Sequence, residues 1–558
     1  MDRGRIAGRW AAQSWQWSPL LIAAAYGAVL LLTLSSVVGG VYAIADVSSA
    51  PYLGQLLPHA PRSATVLLGN ISWAEALWFE LLTRWVPDHH ELWELAPWVS
   101  GLLAIGAVAW ATAIVADRWA GMIVAVVAGC GGAALLPLQF AWNTHALAYT
   151  NTCLLGAFLV WLTHREHRWN HRRAWLAVAL AGLAAGAGYA SDPLFGLAGL
   201  GPFTLAGVGC GWLTGPRRGR PIVLATIVVV AVAGISAAVI DRAMRNEHLL
   251  ASLFPVRFAP YDQLLDHTGL LLQSLIVLLN GDFGGAAISG SGLLALACAA
   301  ATLAGCWFVA RTGVRLVHSS TVGRTPGTGT PRTGTPGTRT PSPLAPARDA
   351  FVTYWTASAL LVSGAFVLST VPHAIADKRY LVTVVYAVAV LVATGAGRRP
   401  WARALTCAGA IVIVLGSTSA IAHRDIQNTN YTGFPDSAEA AQLAGWLMGE
   451  HLRIGYAPYW DAAPLTWDMN DGIDIYPVDG CDQDRVCEAG RPRILSWYTP
   501  RRRVRTFFVV DSRLIATDFA LGIDGPQPSL GRPLLAHRVD QFAVYVYPDD
   551  IAARFAGS

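Results

Sequence analysis

The sequence has 558 residues, of which 54% are hydrophobic and only 13% are charged, with a net charge of +5. Soluble globular chains carry about 25% charged residues, so the composition excludes an ordinary soluble protein. Apolar runs of about 20 residues, the length that crosses a bilayer as a helix, recur along the chain. Basic residues form short clusters between these runs, which is typical of membrane orientation rather than of nucleic-acid binding.

Charge clusters predict how often the chain crosses the membrane. The stretch from about Pro19 to Ile44 follows three arginines, has no convincing cleavage site and predicts a retained first span with a cytoplasmic N-terminus. The apolar run Thr268 to Leu279 is short, and counting it as a span would place a set of arginines outside, so we interpret it as interfacial or re-entrant. Eleven crossings of the plasma (inner) membrane result, with the C-terminus outside. For seven of the ten spans after the first, the apolar runs have clear limits, at about 97–116, 121–138, 222–240, 293–310, 351–370, 381–397 and 405–422.

Three segments depart from the membrane pattern. An outer loop, 45–96, contains an amphipathic run from Ser63 to Val86 that predicts a helix on the membrane surface. Residues 319–347 are rich in Thr, Pro, Gly and Arg and predict a disordered cytoplasmic linker. Residues 1–422 are thus a transmembrane domain and 423–558 a small extracytoplasmic α/β domain, with a helix at 437–451 and strands at 453–459, 473–478, 506–511 and 541–547.

Two of the eight cysteines, Cys481 and Cys487, stand close together in this polar C-terminal region. They predict a disulfide if the region lies outside the cytoplasm. The other six cysteines lie in or beside apolar runs and are interpreted as small packing residues.

Polar residues collect at the predicted outer ends of the spans. Asp46 ends the first span, and it is either a catalytic carboxylate or a hydrated interfacial residue that caps the next turn. The outer groups that a bundle would bring to one cavity at membrane level are Asp46, the run Asp88, His89, His90 and Glu91, the loop residues Asn143 and His145, Asp192, and the run Asp377, Lys378, Arg379 and Tyr380.

Each group has a functional and a plain interpretation. Arg379, with Lys378 and Tyr380, is a candidate for holding a lipid phosphate, because guanidinium groups bind phosphate with two hydrogen bonds; headgroup anchoring is the alternative. The run from Asp88 to Glu91 is a candidate site for a divalent cation such as Mg or Mn, or for an acceptor, or else a solvated loop. His145, Asp192, Tyr459 and Trp460 are candidate acceptor or sugar contacts, although Asp192 before Pro193 also suits a turn and the aromatic residues also suit a core.

An N-terminal span followed at once by an outer-loop Asp, then a long loop with a surface helix, resembles the GT-C superfamily of polyprenyl-phosphate-sugar-dependent glycosyltransferases. Protein O-mannosyltransferases, aminoarabinose transferases and mycobacterial arabinosyltransferases belong to this superfamily. Lys378-Arg379-Tyr380, which opens a late span, is similar to the Arg-Tyr pairs at that place. The C-terminal segment from Gly455 to Ala462 resembles those of actinobacterial membrane proteins of this type. Asp46 is followed by Val47, so the acidic pair of O-mannosyltransferases is absent.

The resemblance implies a GT-C-like bundle of about eleven transmembrane helices and a membrane glycosyltransferase. The donor would be a polyprenyl-phosphate sugar, the acceptor a cell-envelope glycan, lipid or protein, and Asp46 the general base. The alternative functions are a transporter or flippase of envelope lipids or glycans, and a non-catalytic envelope assembly protein. Charged residues are rare at the centres of the predicted spans, which weighs against transport.

Overall fold

The computed structural model describes residues 45–57, 64–68, 73–85, 90–140, 145–164, 172–214, 216–250, 256–284, 288–322, 345–397, 399–422, 437–469, 472–482, 485–489, 493–513 and 528–555. The predicted first span lies outside these residues, as does most of the predicted linker. The linker's first residues, 319–322, end a long helix, and its last residues, 345–347, begin the next one.

Helices make up most of the described chain. They are α1 (Ala45–Leu56), α2 (Trp73–Trp85), α3 (His90–Val115), α4 (Arg118–Cys130), α5 (Leu136–Phe140), α6 (Ala146–His164), α7 (Arg172–Ser191), α8 (Gly201–Leu213), α9 (Pro216–Asn246), α10 (Leu264–Leu278), α11 (Gly290–Val322), α12 (Ala345–Leu368), α13 (Val382–Ala396), α14 (Pro400–Ala422), α15 (Ser437–Gly449) and α16 (Tyr459–Met469). A π-helical turn, Gly196–Leu200, precedes α8, and a 3-10 helix, Ile375–Leu381, precedes α13.

Nine helical segments within the described ranges are long and apolar enough to cross a membrane. They are Pro97–Val115, Ala146–His164, Arg172–Ser191, Gly196–Leu213, Gly219–Asn246, Gly290–Thr312, Ala345–Leu368, Asp377–Ala396 and Pro400–Ala420. The prediction of a polytopic, α-helical membrane protein is confirmed.

The third predicted span, 121–138, is not one continuous helix. It breaks after α4 at two glycines, where a Cβ on Gly132 would lie 1.8 Å from the carbonyl oxygen of Leu278. Asn280 fills the break: its Oδ1 accepts a hydrogen bond from the Ala133 N–H at 2.8 Å, and its Nδ2 donates to the Gly131 carbonyl at 3.3 Å. The apolar run alone does not reveal this close approach of another segment.

The short apolar run near 268–279 forms α10. Near its start the His267 Nδ1 contacts the carbonyl oxygen of Val367, near the C-terminal end of α12, at 3.1 Å. Just beyond its end, Asn280 donates to Ser417 in the last third of α14 at 2.8 Å. Both ends of α10 therefore lie toward the same end of the bundle, which agrees with its interpretation as an interfacial or re-entrant segment.

A six-stranded sheet forms the core of the C-terminal region, in agreement with the predicted small α/β domain. In the order in which they pair, the strands are β5 (Arg485–Glu488), β4 (Asp474–Asp482), β3 (Ile454–Pro458), β7 (Thr506–Asp511), β9 (Phe542–Tyr547) and β8 (Leu535–Val539). Strand β3 is parallel to both β4 and β7, and the remaining pairs are antiparallel.

A second, three-stranded sheet joins three distant parts of the chain. It is built from β1 (Val66–Leu67), β2 (Leu249–Leu250) and β6 (Arg493–Ile494) in the order β2-β1-β6. Val66 lies opposite Leu249 on one side and opposite Ile494 on the other. The loop that carries β1 is thereby hydrogen-bonded both to the C-terminal domain and to the loop after α9.

The C-terminal domain shares a hydrophobic core with α1 and α2. Tyr52 of α1 packs on Trp497 with ring centroids 5.5 Å apart, and Phe79 of α2 packs edge-on against Trp467 of α16 at 6.1 Å. The Tyr52 hydroxyl also donates to the carbonyl oxygen of Ile475 at 3.1 Å. The domain is therefore docked on the membrane part of the chain; we call that end of the bundle the tail side.

Contacts between loops show which loops lie together at each end of the bundle. On the tail side the three-stranded sheet joins the first long loop to the loop after α9, and His145 binds Asp192 between the loops before α6 and after α7. At the opposite end, Arg403 forms an ion pair with Asp117. These are the same two groups of loops that the charge count places on opposite sides of the membrane.

Candidate functional site

His145 and Asp192 form a buried polar pair on the tail side. The His145 Nδ1 lies 2.6 Å from the Asp192 Oδ2, and the two side chains are 13% and 7% exposed. Asp192 also accepts a hydrogen bond from the Leu194 N–H at 2.9 Å, as in an Asx turn before the proline ring. Asp192 therefore has the predicted turn role, and the same side chain also binds His145.

The 3-10 helix before α13 brings a second polar group to the same place. The Tyr149 hydroxyl donates to the main-chain carbonyl of Arg379, which ties this segment to α6. The imidazole of His145 lies 4.8 Å from the Tyr380 ring, and the Arg379 guanidinium lies 5.5 Å from the same ring. Arg379, Tyr380, His145 and Asp192, four of the predicted site residues, are therefore brought together.

Asp377 shapes the turn that presents these basic residues. Its Oδ2 accepts hydrogen bonds from the N–H groups of His373 at 2.7 Å and Ala374 at 3.2 Å. Its Oδ1 lies 3.8 Å from Arg379. The carboxylate is thus used to start the 3-10 helix and to orient the guanidinium, as expected of an acid at a helix N-terminus.

Lys378 is the only lysine in a chain that otherwise uses arginine for its basic side chains. The residue is 4% exposed, and its Nζ is buried with no hydrogen-bond partner among the described residues. Burying a charged group without compensation costs several kcal/mol. A buried ammonium in this setting is well suited to bind an anion.

Glu75 is a site residue that the sequence alone did not identify. It lies in α2 and is 1% exposed. Burial raises the pKa of its carboxyl well above its usual range, and the negative charge of Asp192 raises it further, against a hydrogen bond from the N–H of Leu147. The carboxyl group of Glu75 is therefore close enough to Asp192 for the two groups to interact electrostatically. The only sequence signal was an acid within an otherwise apolar stripe.

Asp46 lies in the first turn of α1, a helix where the sequence predicts only the start of a loop. The structure describes its backbone and not its side chain. One turn later in α1, the Ser49 hydroxyl lies 3.2 Å from the hydroxyl of Tyr459. The ring of Trp460 packs on that of Tyr459, with centroids 5.1 Å apart. The two predicted aromatic contacts are thus located at the helix that carries Asp46.

The remaining predicted site residues lie elsewhere. Asp88 and His89 are outside the described residues, and His90 and Glu91 begin α3 with side chains that the structure does not describe. Within the described ranges, no group of three or more His, Cys, Asp or Glu side chains is arranged to hold a metal ion. Cys481 and Cys487 are joined by a disulfide across the β4–β5 hairpin.

The cluster has the chemistry of an anion site at the end of a helical bundle. Arg379 and His145 lie beside the Tyr380 ring, Lys378 precedes Arg379 in the chain, and the buried Asp192 binds His145. Arginine offers a planar fork for phosphate oxygens, whereas lysine offers a compact point charge. The acids supply groups that accept or release protons.

Comparison with known proteins does not assign this chain to a family. No protein-family model matches the sequence, and neither does any curated protein. Among solved structures, the chain is similar to ArnT from Cupriavidus metallidurans in the apo state, with 16% sequence identity and a TM-score of 0.35, over 96% of this chain and 100% of that one. A likeness at this level does not establish a shared fold or activity.

Proposed function

We propose that this protein is a membrane glycosyltransferase that moves a sugar from a polyprenyl-phosphate donor to a cell-envelope acceptor on the outer face of the plasma membrane. The observation that carries the proposal is Lys378, whose buried Nζ has no hydrogen-bond partner among the described residues and which is next to Arg379 at one end of a membrane bundle. A lipid-linked phosphate is an anion that reaches such a position from within the bilayer.

In the proposed reaction, Asp46 is the general base. The acceptor hydroxyl loses its proton to the Asp46 carboxylate as its oxygen forms a bond to the anomeric carbon of the sugar. The bond between that carbon and the phosphate oxygen breaks, and its electron pair stays on the phosphate. Lys378 and Arg379 stabilise the negative charge that develops there, which is electrostatic stabilisation of a leaving group.

Tyr459 and Trp460 are proposed to form the acceptor side of the site. Their position at α1 supports this role, because α1 carries both Ser49 and Asp46. Aromatic side chains stack on the apolar faces of sugar rings, so a docked C-terminal domain would hold the acceptor against the proposed base. The run from Asp88 to Glu91 stays a candidate site for a divalent cation such as Mg or Mn, or for the acceptor.

Replacing Lys378 tests the donor site. We expect Lys378→Gln to weaken binding of polyprenyl monophosphate by a factor of about 10 to 100, the contribution of a hydrogen bond to a charged group. Since Lys378 is the only lysine, supplying 13Cε-lysine during expression gives a single lysine resonance, whose shift on titration with polyprenyl phosphate reports contact directly. Arg245→Gln is the matched control, because Arg245 is a basic residue at the C-terminal end of α9 with a side chain 69% exposed. An unchanged affinity in Lys378→Gln would remove this residue from the proposal.

Asp46→Asn separates transfer from binding. Membranes containing this variant should bind polyprenyl phosphate normally but lose sugar transfer from a labelled polyprenyl-phosphate donor, because the amide cannot accept the proton. Undiminished transfer in a correctly inserted variant would exclude Asp46 as the base. Binding without transfer in the wild-type protein would instead favour a carrier of envelope lipids.

A further inference from the structure

The segment that follows α10 is held at a fixed place in the bundle. Asn280 has a left-handed backbone conformation, with φ 60°, and its Nδ2 donates to the carbonyl oxygen of Ile413 at 3.3 Å and to the Ser417 hydroxyl at 2.8 Å, both in α14. A Cβ on Gly281 would lie 2.8 Å from the Cα of Ala299 in α11, so the backbone touches that helix. The residue after Gly281 is therefore placed by contacts with two helices.

That residue is Asp282, which is exposed. Helix α10 packs against the 3-10 helix that carries Lys378, which brings the two residues to the same end of the bundle. The Asp282 carboxylate lies close enough to the Lys378 ammonium for the two charges to interact. This attraction offsets part of the cost of burying the ammonium, although the two groups form no hydrogen bond.

The other charges near Lys378 leave the candidate site close to electrical balance. The Arg379 guanidinium repels the ammonium. Asp377 lies 3.8 Å from that guanidinium and accepts hydrogen bonds from the backbone that starts the 3-10 helix, so its charge is directed to Arg379. Each of the two cations is thus accompanied by one acid. Such a site suits an anion of low charge, because each added negative charge is also repelled by the acids.

We propose that Asp282 is a specificity-determining residue of the donor site, which accepts lipids with one phosphate group and disfavours lipid diphosphates. This inference rests on the proposed donor site at Lys378 and Arg379. A carboxylate that attracts the Lys378 ammonium repels an anion bound to that ammonium, and the repulsion grows with the charge of the anion. A diphosphate carries more negative charge than a monophosphate, so Asp282 disfavours it more. Specificity is often achieved by such repulsion of the wrong ligand.

Binding of polyprenyl monophosphate and polyprenyl diphosphate to the purified full-length protein in detergent tests this role. The titrations are made at about pH 6.5, well below the ordinary lysine pKa of about 10.4. We expect wild-type protein to prefer the monophosphate. Asp282→Asn should bind the monophosphate about two- to fivefold more tightly, the effect of one charge in an exposed pair. It should gain more affinity for the diphosphate, so that the preference shrinks, whereas Asp282→Glu keeps the charge and should keep the preference.

Asp266→Asn is the matched control. Asp266 is also an exposed aspartate, but it lies in the first turn of α10, at the terminus away from Asp282. This variant should bind both lipids as wild-type protein does. If Asp282→Asn shows an unchanged ratio of the two affinities, or weaker binding of both lipids, the proposal is overturned, because the carboxylate then does not repel the ligand.

The single lysine gives a second test that needs no ligand. In the ligand-free protein, the 13Cε resonance of Lys378 should shift in Asp282→Asn and stay in place in Asp266→Asn, because only the first variant removes a charge that acts on the ammonium. The shift should become smaller at about 1 M salt, where the Debye length is about 3 Å. A resonance that Asp282→Asn leaves in place, or a shift that salt does not reduce, would contradict the proposal.

The outcomes also separate this inference from the proposed function. If wild-type protein binds neither lipid, the donor class itself is wrong. If it binds the diphosphate more tightly, the role of Asp282 and the monophosphate donor are both rejected. If wild-type protein binds the monophosphate and Lys378→Gln impairs that binding, while Asp282→Asn leaves the ratio of affinities unchanged, the donor site stands and only the role of Asp282 is rejected.

Discussion

At the scale of single residues, Glu75 shows how weakly the sequence can mark a buried acid near the candidate site. It stands in a predicted surface helix where an acid would be solvated, and yet the folded chain buries it to 1% exposure beside Asp192. The two acids are far apart in the sequence, and no local pattern relates them. Lys378 and Arg379 were easier to single out, because they stand together with Asp377 and Tyr380 at the start of an apolar span.

The raised pKa of Glu75 gives a pH dependence with a definite sign. The folded state holds its proton at pH values where the unfolded chain, with a pKa near the ordinary value of about 4.3, has lost it. The contribution of Glu75 to stability therefore falls as the pH rises from that value toward the raised pKa of the folded state. Glu75→Gln removes this ionisation. We expect the variant to be more stable than wild-type protein at about pH 8, by about 1 kcal/mol or more, and equally stable near pH 4.

Thermal unfolding of the full-length protein in detergent, measured across this pH range, checks the prediction. Glu80→Gln is the control on the same helix, because Glu80 pairs with Arg84 at the surface of α2 and its side chain is 17% exposed. That variant should show no comparable gain at high pH. A Glu75→Gln protein that is less stable than wild type at about pH 8 would mean that the carboxylate is ionised in the folded state.

At the scale of elements, the sequence predicts the helices and strands themselves better than it predicts the segments against which they pack. Strand β7 occupies the predicted residues Thr506–Asp511, because a run of large apolar residues between polar ones is a local signal. Helix α2 also forms within its predicted range. Its exposed Trp85 suits the expected membrane surface, but Phe79 on the other side is fully buried against Trp467 of the C-terminal domain. Amphipathicity predicts that a face is buried and does not identify its partner.

The close crossing of α1 and α2 depends on Gly54. A Cβ at this position would lie 2.5 Å from the Cβ of Phe79 and 2.9 Å from the backbone nitrogen of Glu80, so the two helices would have to separate. We expect Gly54→Ala to destabilise the protein by about 1–3 kcal/mol, the usual cost of overpacking, and to expose the C-terminal domain to limited proteolysis.

Gly106 of α3 is the matched control for this substitution. It is also a helical glycine, but a Cβ there would meet nothing within 4 Å. Because alanine favours the helix over glycine by about 1 kcal/mol, Gly106→Ala should be neutral or stabilising. Equal melting temperatures for Gly54→Ala and wild-type protein would show that α1 and α2 are not packed as tightly as described.

At the scale of the whole molecule, the C-terminal domain is an integral part of the tail side. The three-stranded sheet and the shared core around Tyr52 and Trp497 hold it there. Composition separates the polar C-terminal region from the membrane spans, but it contains no information on docking. Two-residue strands such as β1 and β6 are too short to produce a periodic pattern, and so this connection could not be predicted from the sequence.

A cysteine cross-link tests the docking directly. Val66 and Ile494 are directly opposed in an antiparallel pair, where Cα atoms lie about 4.5–5.5 Å apart, within the range that a disulfide spans. The double variant Val66→Cys/Ile494→Cys should therefore cross-link under mild oxidation. With a protease site inserted between residues 323 and 344, the two halves would stay together on a non-reducing gel and separate on reduction.

The pair Val66→Cys/Val509→Cys is the control, because Val509 is buried in β7 of the other sheet and does not oppose Val66. Cross-linking in the first pair alone would establish the docked arrangement in solution, and mass spectrometry of the linked peptides would exclude pairing with the native cysteines. The cross-linked protein also reports on mechanism. If the domain holds the acceptor at α1 in its docked position, locking it there should preserve sugar transfer, whereas a transfer activity that returns only on reduction would mean that the domain must move during the reaction.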